Sequence, residues 1–327
     1  MLYQRGRYRI SSQGANVSAH VKTQALLFPG QGSQEKGMGK SLAEADAGAM
    51  DLWKLAEKIS GLALRDIYWD GDDAAMADTR HLQPAMIVVC LNLWFRLKGK
   101  LAPMGMAGHS LGEYAALAAA EALPVRQTLE LVSLRGRLMA EAGGSGDAAG
   151  AMAAVLKIPL EAVEDIVARA GRATGGLLLV ANYNTPGQYV ISGRKDAVDA
   201  AGALCKEAKG RAVMLPVSGA FHSPLMAEAA AEMHKQIAKA DWRAPNVPVY
   251  ANVTGRAERD PARLLELLSQ QMTSSVRWID TMTALYADGT RMFVEIGPKG
   301  VLTKMVAANL PGKDDVAAVS VATGEEL

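Results

Sequence analysis

Cysteine is scarce in this chain, with only Cys90 and Cys205 among 327 residues. Neither thiol has a metal-ligand neighbour or a partner in a C-x-x-C motif. Two distant cysteines do not indicate a disulfide framework, and they favour a reducing cytoplasm as the location. We therefore expect two buried structural thiols.

An excess of charge and a long apolar run are also lacking. The chain has 35 basic and 34 acidic residues, a net charge of +1, so nothing predicts binding to nucleic acid or to an anionic membrane. The longest apolar candidate, residues 85–95, is too short to span a membrane. Residues 1–22 are mostly polar and basic without the apolar centre of a signal peptide, and they predict a flexible extension.

Strands and helices alternate along the rest of the chain, half of whose residues are hydrophobic. This alternation predicts a parallel sheet covered on both faces. We expect a large α/β domain of the α/β-hydrolase-like type over residues 23–146 and 217–327. Residues 147–216 instead follow the order β-α-β-β-α-β, which predicts an inserted ferredoxin-like small subdomain after the glycine-rich joint 143–150.

The sequence pattern predicts helices over residues 42–59, 83–98, 113–122 and 126–142, and a strand over 247–253. In the second helix, Gln83-Pro84 is expected to form the start, because proline suits the first helical turn.

The most informative stretch is Gly108-His109-Ser110-Leu111-Gly112, which matches the G-x-S-x-G nucleophile elbow. A short apolar segment precedes it and an alanine-rich, helix-forming segment follows. The glycines permit the tight turn that presents a serine hydroxyl at a helix N-terminus. The sequence therefore predicts an activated nucleophile at Ser110.

A serine nucleophile needs a base within hydrogen-bond reach. Of the five histidines, His20 lies in the extension, His81 precedes a helix and His234 lies within one, while His109 is expected to point away from the serine. His222 follows a strand and precedes a helix, in the kind of loop where α/β sheets place catalytic groups. We predict that His222 is the base.

The loop Gly30-Gln31-Gly32 also ends a strand. Glu35 occupies the place of the third glycine of a dinucleotide fingerprint, and no Walker lysine follows. The loop could instead lie beside the elbow and offer a backbone N–H to an oxyanion, with the N–H of Leu111 as the second donor.

Arg135 lies at the edge of the apolar face of a helix. A half-buried guanidinium requires a carboxylate, and its planar fork suits bidentate pairing. The carboxylate could belong to the protein, as in a structural salt bridge, or to a substrate.

Taken together, these motifs resemble the malonyl-CoA:acyl carrier protein transacylases of fatty acid synthesis. The resemblance runs from about residue 24 to the C-terminus. Its motifs are Phe28-Pro29-Gly30-Gln31-Gly32-Ser33-Gln34, Gln83-Pro84-Ala85, Gly108-His109-Ser110-Leu111-Gly112-Glu113-Tyr114, Arg135-Gly136, Asn182-Tyr183-Asn184-Thr185-Pro186-Gly187-Gln188, Gly219-Ala220-Phe221-His222-Ser223, Gln271 and Glu295-Ile296-Gly297-Pro298.

The resemblance implies a role for each matched position. Ser110 would be acylated, His222 would be its base, and a main-chain carbonyl of Gln271 would orient that base. The remaining positions would form the oxyanion hole (Gln31 and Leu111), bind the malonyl carboxylate (Arg135), select malonyl (Phe221) or line the cleft (Gln83, Asn182 and Asn184).

The implied reaction has two half-reactions and needs no metal, no bound cofactor and no ATP. A malonyl group passes from malonyl-CoA to Ser110 and then to the phosphopantetheine thiol of acyl carrier protein. Acyl carrier protein would be a transient partner of a monomeric, cytoplasmic enzyme.

Three alternatives stay open at this point. A serine hydrolase or thioesterase of the α/β-hydrolase type would share the elbow, although its acid and histidine usually lie elsewhere in the chain. A catalytically silent carrier-binding module would usually lack Ser110, His222 or Arg135. The same domain also serves polyketide synthesis and malonate decarboxylation.

Overall fold

The computed structural model describes residues 23–143, 150–217 and 219–326. The predicted extension over 1–22 and most of the predicted joint, residues 144–149, lie outside these ranges. The strands within them are β1 Gln24–Phe28, β2 Pro103–Gly108, β3 Gly150–Leu156, β4 Leu178–Thr185, β5 Gln188–Arg194, β6 Arg211–Met214, β7 Val249–Ala251, β8 Arg256–Glu258, β9 Met292–Ile296 and β10 Ala317–Val321. The α-helices are α1 Lys40–Ala45, α2 Ala47–Ser60, α3 Asp73–Ala77, α4 Thr79–Leu97, α5 Gly112–Ala119, α6 Val125–Glu141, α7 Leu160–Thr174, α8 Lys195–Glu207, α9 Ala227–Ile237, α10 Pro261–Gln270, α11 Trp278–Ala287 and α12 Val301–Asn309.

The larger of the two sheets has six strands in the order β10-β9-β1-β2-β7-β8. All neighbours are parallel except β7 and β8. Strand β1 is buried on both faces: Leu26 and Phe28 join the core around α4 and α5, while Ala25 and Leu27 join the core around α11 and α12. The predicted mixed α/β fold with a mostly parallel sheet is therefore confirmed.

The smaller sheet is antiparallel, with the order β4-β5-β3-β6. Helices α7 and α8 pack on it, and their apolar side chains form a separate core with the inward residues of the sheet. The chain runs β3-α7-β4-β5-α8-β6 through this layer before it returns to the larger sheet. The candidate active site lies where the smaller sheet meets the larger one.

Helix α4 begins four residues before the predicted start at Gln83. The side chain of Asp78 caps it by accepting a hydrogen bond from the N–H of Arg80, so the first turn is already formed when the chain reaches Pro84. The proline therefore lies inside the helix, where it removes one backbone donor. Gln83 is consequently a buried residue of the helix rather than its first one.

Three other predicted boundaries are also wrong. The helix predicted over 42–59 is divided at Asp46, whose side chain accepts from the N–H of Ala49 and starts α2. The helix after the elbow ends at Ala119 rather than at residue 122. The strand predicted over 247–253 ends at Ala251, which releases Asn252 from the sheet.

The junction of β1, β2 and α5 leaves no room for side chains. A Cβ on Gly112 would lie 2.0 Å from the carbonyl oxygen of Phe28, and a Cβ on Gly108 would lie 1.9 Å from the carbonyl of Gly112. Both glycines of the elbow motif are thus required by close backbone packing, which holds α5 against the ends of the two strands.

Among the described residues, no helix combines the length and the apolar character needed to cross a membrane.

Gly112→Ala is expected to lower the free energy of unfolding by about 2–4 kcal/mol, because the backbone of β1 or α5 must shift to admit the methyl group. Gly99→Ala is the matched control, since a Cβ there meets nothing within 4 Å. Urea unfolding followed by circular dichroism measures the free energy of unfolding of both variants. Equal stability of the two would contradict the packing of this junction.

Candidate active site

Ser110 lies on the tight turn between β2 and α5, with a φ of 50° that few residues other than glycine adopt. Its Oγ lies 2.7 Å from Nε2 of His222, so the hydroxyl can donate to the imidazole. Asn252 holds the turn from the other side: its Oδ1 accepts from the N–H of Ser110, and its Nδ2 donates to the carbonyl of Gly108, both at 2.7 Å. The strained turn is therefore fixed by a side chain from the end of β7.

His222 also has a positive φ, 56°, in the loop that leads from the smaller sheet back to the larger one. Its Nδ1 lies 3.0 Å from the carbonyl oxygen of Gln271 and 3.2 Å from that of Ser274, and it donates to both. These two carbonyls fix the tautomer in which Nε2 is free to accept the serine proton. Ser192 of β5 ties the loop to the smaller sheet by donating to the carbonyl of Phe221.

The imidazole of His222 is neutral at physiological pH. Burial lowers its pKa to about 3, and the positive charge of Arg135 contributes to the decrease. Hydrogen bonds to the carbonyls of Gln271 and Ser274 oppose the shift but do not cancel it. A neutral imidazole is the form that can act as a general base.

Arg135 is buried, with 1% of its surface exposed, rather than half-buried as the helix pattern predicts. Its Nη2 donates to the Oγ of Ser110 at 3.0 Å and to Oε1 of Gln271 at 3.1 Å, and its Nη1 donates to Oε1 of Gln83 at 2.9 Å. All three acceptors are neutral, and Nε has no partner among the described residues. Arg135 therefore contributes a positive charge beside the nucleophile without a protein carboxylate in contact with it.

The loop predicted to supply an oxyanion donor does lie against the elbow. A Cβ on Gly30 would lie 2.5 Å from the carbonyl oxygen of His109 and 3.6 Å from the N–H nitrogen of Leu111. Among the described residues, neither the N–H of Gln31 nor that of Leu111 donates to a protein acceptor. The N–H of Leu111 also stands at the N-terminus of α5, where the helix dipole favours negative charge.

A cavity of about 230 Å³ opens beside Ser110. Eight of the ten predicted site residues line it: Gln31, Ser110, Leu111, Arg135, Asn182, Asn184, Phe221 and His222. The other two, Gln83 and Gln271, contact Arg135 instead. The structure thus brings all ten predicted residues together in one site.

 

The smaller sheet provides one wall of the cavity. Asn182 and Asn184 of β4 are both buried there. Oδ1 of Asn184 accepts a hydrogen bond from Nε2 of His109 at 2.8 Å, and the His109 ring packs edge-on against Trp278. His109 therefore links the elbow to the smaller sheet. Phe221 adds an apolar surface beside the base.

Two residues that contact the site were not predicted from the sequence. Asn252 holds the elbow turn, and Glu113 accepts a hydrogen bond from Nε2 of Gln271 at 2.6 Å. Asn252 directly follows a strand of the parallel sheet, and the carboxyl ends of such strands are where sites form. Glu113 lies within the elbow motif, but a glutamate in the first turn of a helix is usually explained by the helix dipole alone.

Among the described residues, no group of three or more histidine, cysteine or acidic side chains could hold a metal ion. Cys90 and Cys205 are both free and buried.

Known proteins match this chain over most of its length. A family model described as "Acyl transferase domain" matches residues 25–324. The malonyl CoA-acyl carrier protein transacylase of Bacillus subtilis (strain 168) is 39% identical over 284 residues, which cover 86% of this chain and 89% of that protein.

Solved structures match the fold as well. The acyl carrier protein S-malonyltransferase from Vibrio cholerae O1 biovar eltor is 38% identical, with a TM-score of 0.85, and the match covers 92% of this chain and 97% of that one. A complex of a type II PKS acyl-carrier protein with its malonyl-transacylase contains a chain that is 33% identical, with a TM-score of 0.85 and coverage of 92% and 96%. The resemblance in the sequence is thereby confirmed, and the chain belongs to the malonyl-CoA:acyl carrier protein transacylase family of acyl transferases.

Proposed function

We propose that the chain transfers a malonyl group from malonyl-CoA to the phosphopantetheine thiol of acyl carrier protein, as an S-malonyltransferase of fatty acid biosynthesis. The names of its relatives support both the acyl group and the carrier. The observation that carries the proposal is the contact of a buried guanidinium with the nucleophile, 3.0 Å from Nη2 of Arg135 to Oγ of Ser110.

Arg135 accounts for the choice of a dicarboxylic acyl group. A malonyl group ends in a carboxylate, and this anion can pair with a cation whose protein contacts are all neutral. An acetyl group would leave the same cation buried and unpaired, which costs about 1–3 kcal/mol or more. The site therefore favours malonyl over acetyl.

The first half-reaction loads the serine. The Oγ of Ser110 attacks the thioester carbonyl while its proton passes to Nε2 of His222, and the backbone N–H groups of Gln31 and Leu111 receive the oxyanion. The C–S bond then breaks, and the departing CoA sulfur takes the proton from His222. The products are a malonyl-serine ester and free CoA.

The second half-reaction reverses these steps with a different thiol. The phosphopantetheine thiol gives its proton to His222 as its sulfur attacks the ester carbonyl. The C–O bond to Ser110 breaks, and the serine oxygen recovers the proton. One thioester is exchanged for another, so the reaction needs no external energy source.

The serine hydrolase alternative is less well supported. Nδ1 of His222 donates to two backbone carbonyls, whereas hydrolases of the α/β-hydrolase type use a carboxylate there. A hydrolase also has no need for the buried cation of Arg135. The intact contact between Ser110 and His222 argues against a silent binding module.

We further propose a ferredoxin-like fold for the smaller sheet and an α/β-hydrolase-like fold for the larger one. The order β4-β5-β3-β6 and the path β3-α7-β4-β5-α8-β6 support a ferredoxin-like small subdomain over 147–216. The strand-turn-helix elbow supports an α/β-hydrolase-like large domain over 23–146 and 217–327. A monomeric state and a cytoplasmic location stay predictions.

Incubation with malonyl-CoA is expected to increase the intact mass of the protein by one malonyl group, which then moves to added carrier protein. Ser110→Ala is expected to show no increase, because the attacking oxygen is absent. Intact-protein mass spectrometry measures both steps. An adduct lost to water at the same rate with and without the carrier would contradict the transferase.

Arg135→Ala is expected to reduce malonyl loading by roughly a hundredfold or more, since a charge-assisted pair is lost, and to reduce acetyl loading less. Arg137→Ala is the matched control, because Arg137 is an exposed residue of the same helix that pairs with Glu141. Rates of CoA release from malonyl-CoA and acetyl-CoA provide the comparison. An equal loss for both acyl groups would remove Arg135 from carboxylate recognition.

Acylation of Ser110 by an uncharged ester such as p-nitrophenyl acetate is expected to change less than about twofold between pH 8 and pH 5, because His222 stays neutral. The free energy of unfolding should decrease as the pH falls below about 6.5, since the unfolded chain takes up a proton that the folded imidazole excludes. Circular dichroism at each pH therefore checks that the protein stays folded during the assay. A tenfold fall in rate per pH unit below 6.5 would contradict the depressed pKa.

A further inference from the structure

The side chain of Gln271 connects Arg135 to a buried carboxyl group. Its Oε1 accepts from Nη2 of Arg135 at 3.1 Å, and its Nε2 donates to Oε2 of Glu113 at 2.6 Å and to the carbonyl of Ser110 at 2.9 Å. The amide thus lies between a cation and an acidic side chain that do not touch. No step of the proposed mechanism uses Glu113.

The carboxylate of Glu113 and the carbonyl of Ser110, which both accept from Nε2, determine the orientation of the Gln271 amide. If the amide were reversed, its oxygen would face the oxygens of Glu113 and Ser110, and its NH₂ group would face the guanidinium of Arg135. Every one of these contacts would be repulsive. Glu113 and the carbonyl of Ser110 therefore together keep Oε1 of Gln271 directed at Arg135.

Glu113 is suited to this position. It is buried, with 1% of its surface exposed, and it lies in the first turn of α5, where the helix dipole favours an acidic group. Its other oxygen, Oε1, lies 3.4 Å from the N–H of Asn252. Burial raises the pKa of Glu113 to about 7, while Gln271, Asn252 and Arg135 favour the ionised form.

We propose that Glu113 is a positioning residue for acyl-group selection, which holds the guanidinium of Arg135 in place through the amide of Gln271. This inference rests on the proposed function, because it assigns Arg135 to the carboxylate of the acyl group. The intervening amide also keeps Glu113 out of direct contact with Arg135. The cation is thereby fixed without being neutralised.

The ratio of malonyl loading to acetyl loading separates this role from a merely structural one. Both reactions use Ser110, His222 and the oxyanion donors, so general damage to the site lowers both rates together. Only malonyl requires the carboxylate partner. A positioning role therefore changes the ratio.

Glu113→Ala is expected to lower kcat/KM for malonyl-CoA roughly tenfold or more, and that for acetyl-CoA clearly less, because the amide of Gln271 loses one of the two acceptors that orient it. Glu113→Gln retains an acceptor for Nε2 of Gln271 and is expected to restore most of the ratio. Glu121→Gln is the matched control, since Glu121 is exposed just beyond the end of α5. Mass spectrometry of the loaded full-length chain measures the rates.

An unchanged ratio in Glu113→Ala, or equal losses for both acyl groups, would overturn the inference. If that variant does not fold, Glu113→Asp decides the question: it keeps the charge but withdraws the carboxylate by one methylene, so the ratio should still fall. Thermal melting identifies the folded variants. Failure of the unmodified chain to load malonyl would instead overturn the proposed function, and the inference with it.

Discussion

The site depends on one buried positive charge. Removing a guanidinium from water is costly unless its donors find acceptors, and the Nη atoms of Arg135 donate to amide and hydroxyl oxygens rather than to an acid. This choice of partners leaves the charge available to an incoming anion. Burial lowers the pKa of His222 and the same charge lowers it further, so the imidazole stays neutral and can act as a base. One side chain therefore couples recognition of the acyl group to the chemistry of the nucleophile.

The backbone provides the second constraint. Ser110 and His222 both have positive φ values, and each is fixed by groups from a different part of the chain. Asn252 holds the serine turn from the end of β7, while the carbonyls near Gln271 hold the histidine ring. Local strain is thus offset by contacts with segments that are distant along the chain.

Much of this arrangement could be predicted from the sequence, but not all of it. Ser110 and His222 follow from a motif and from a loop position, because nucleophile elbows and strand-end loops have recognisable patterns. The carbonyl of Gln271 was implied only by the family resemblance, since any residue could supply a carbonyl. Asn252 and Glu113 were missed because their roles depend on tertiary contacts. The start of α4 was misplaced because a proline usually marks a first turn, whereas Asp78 caps this helix earlier.

The distance along the chain between the reacting groups has a consequence for how the protein is made. The nucleophile is synthesised 112 residues before its base and 161 residues before the amide of Gln271. A nascent chain therefore displays the complete serine motif long before it contains the groups that activate it. The activated serine therefore arises late in synthesis, because an unfinished chain lacks the base even where its first strands have folded.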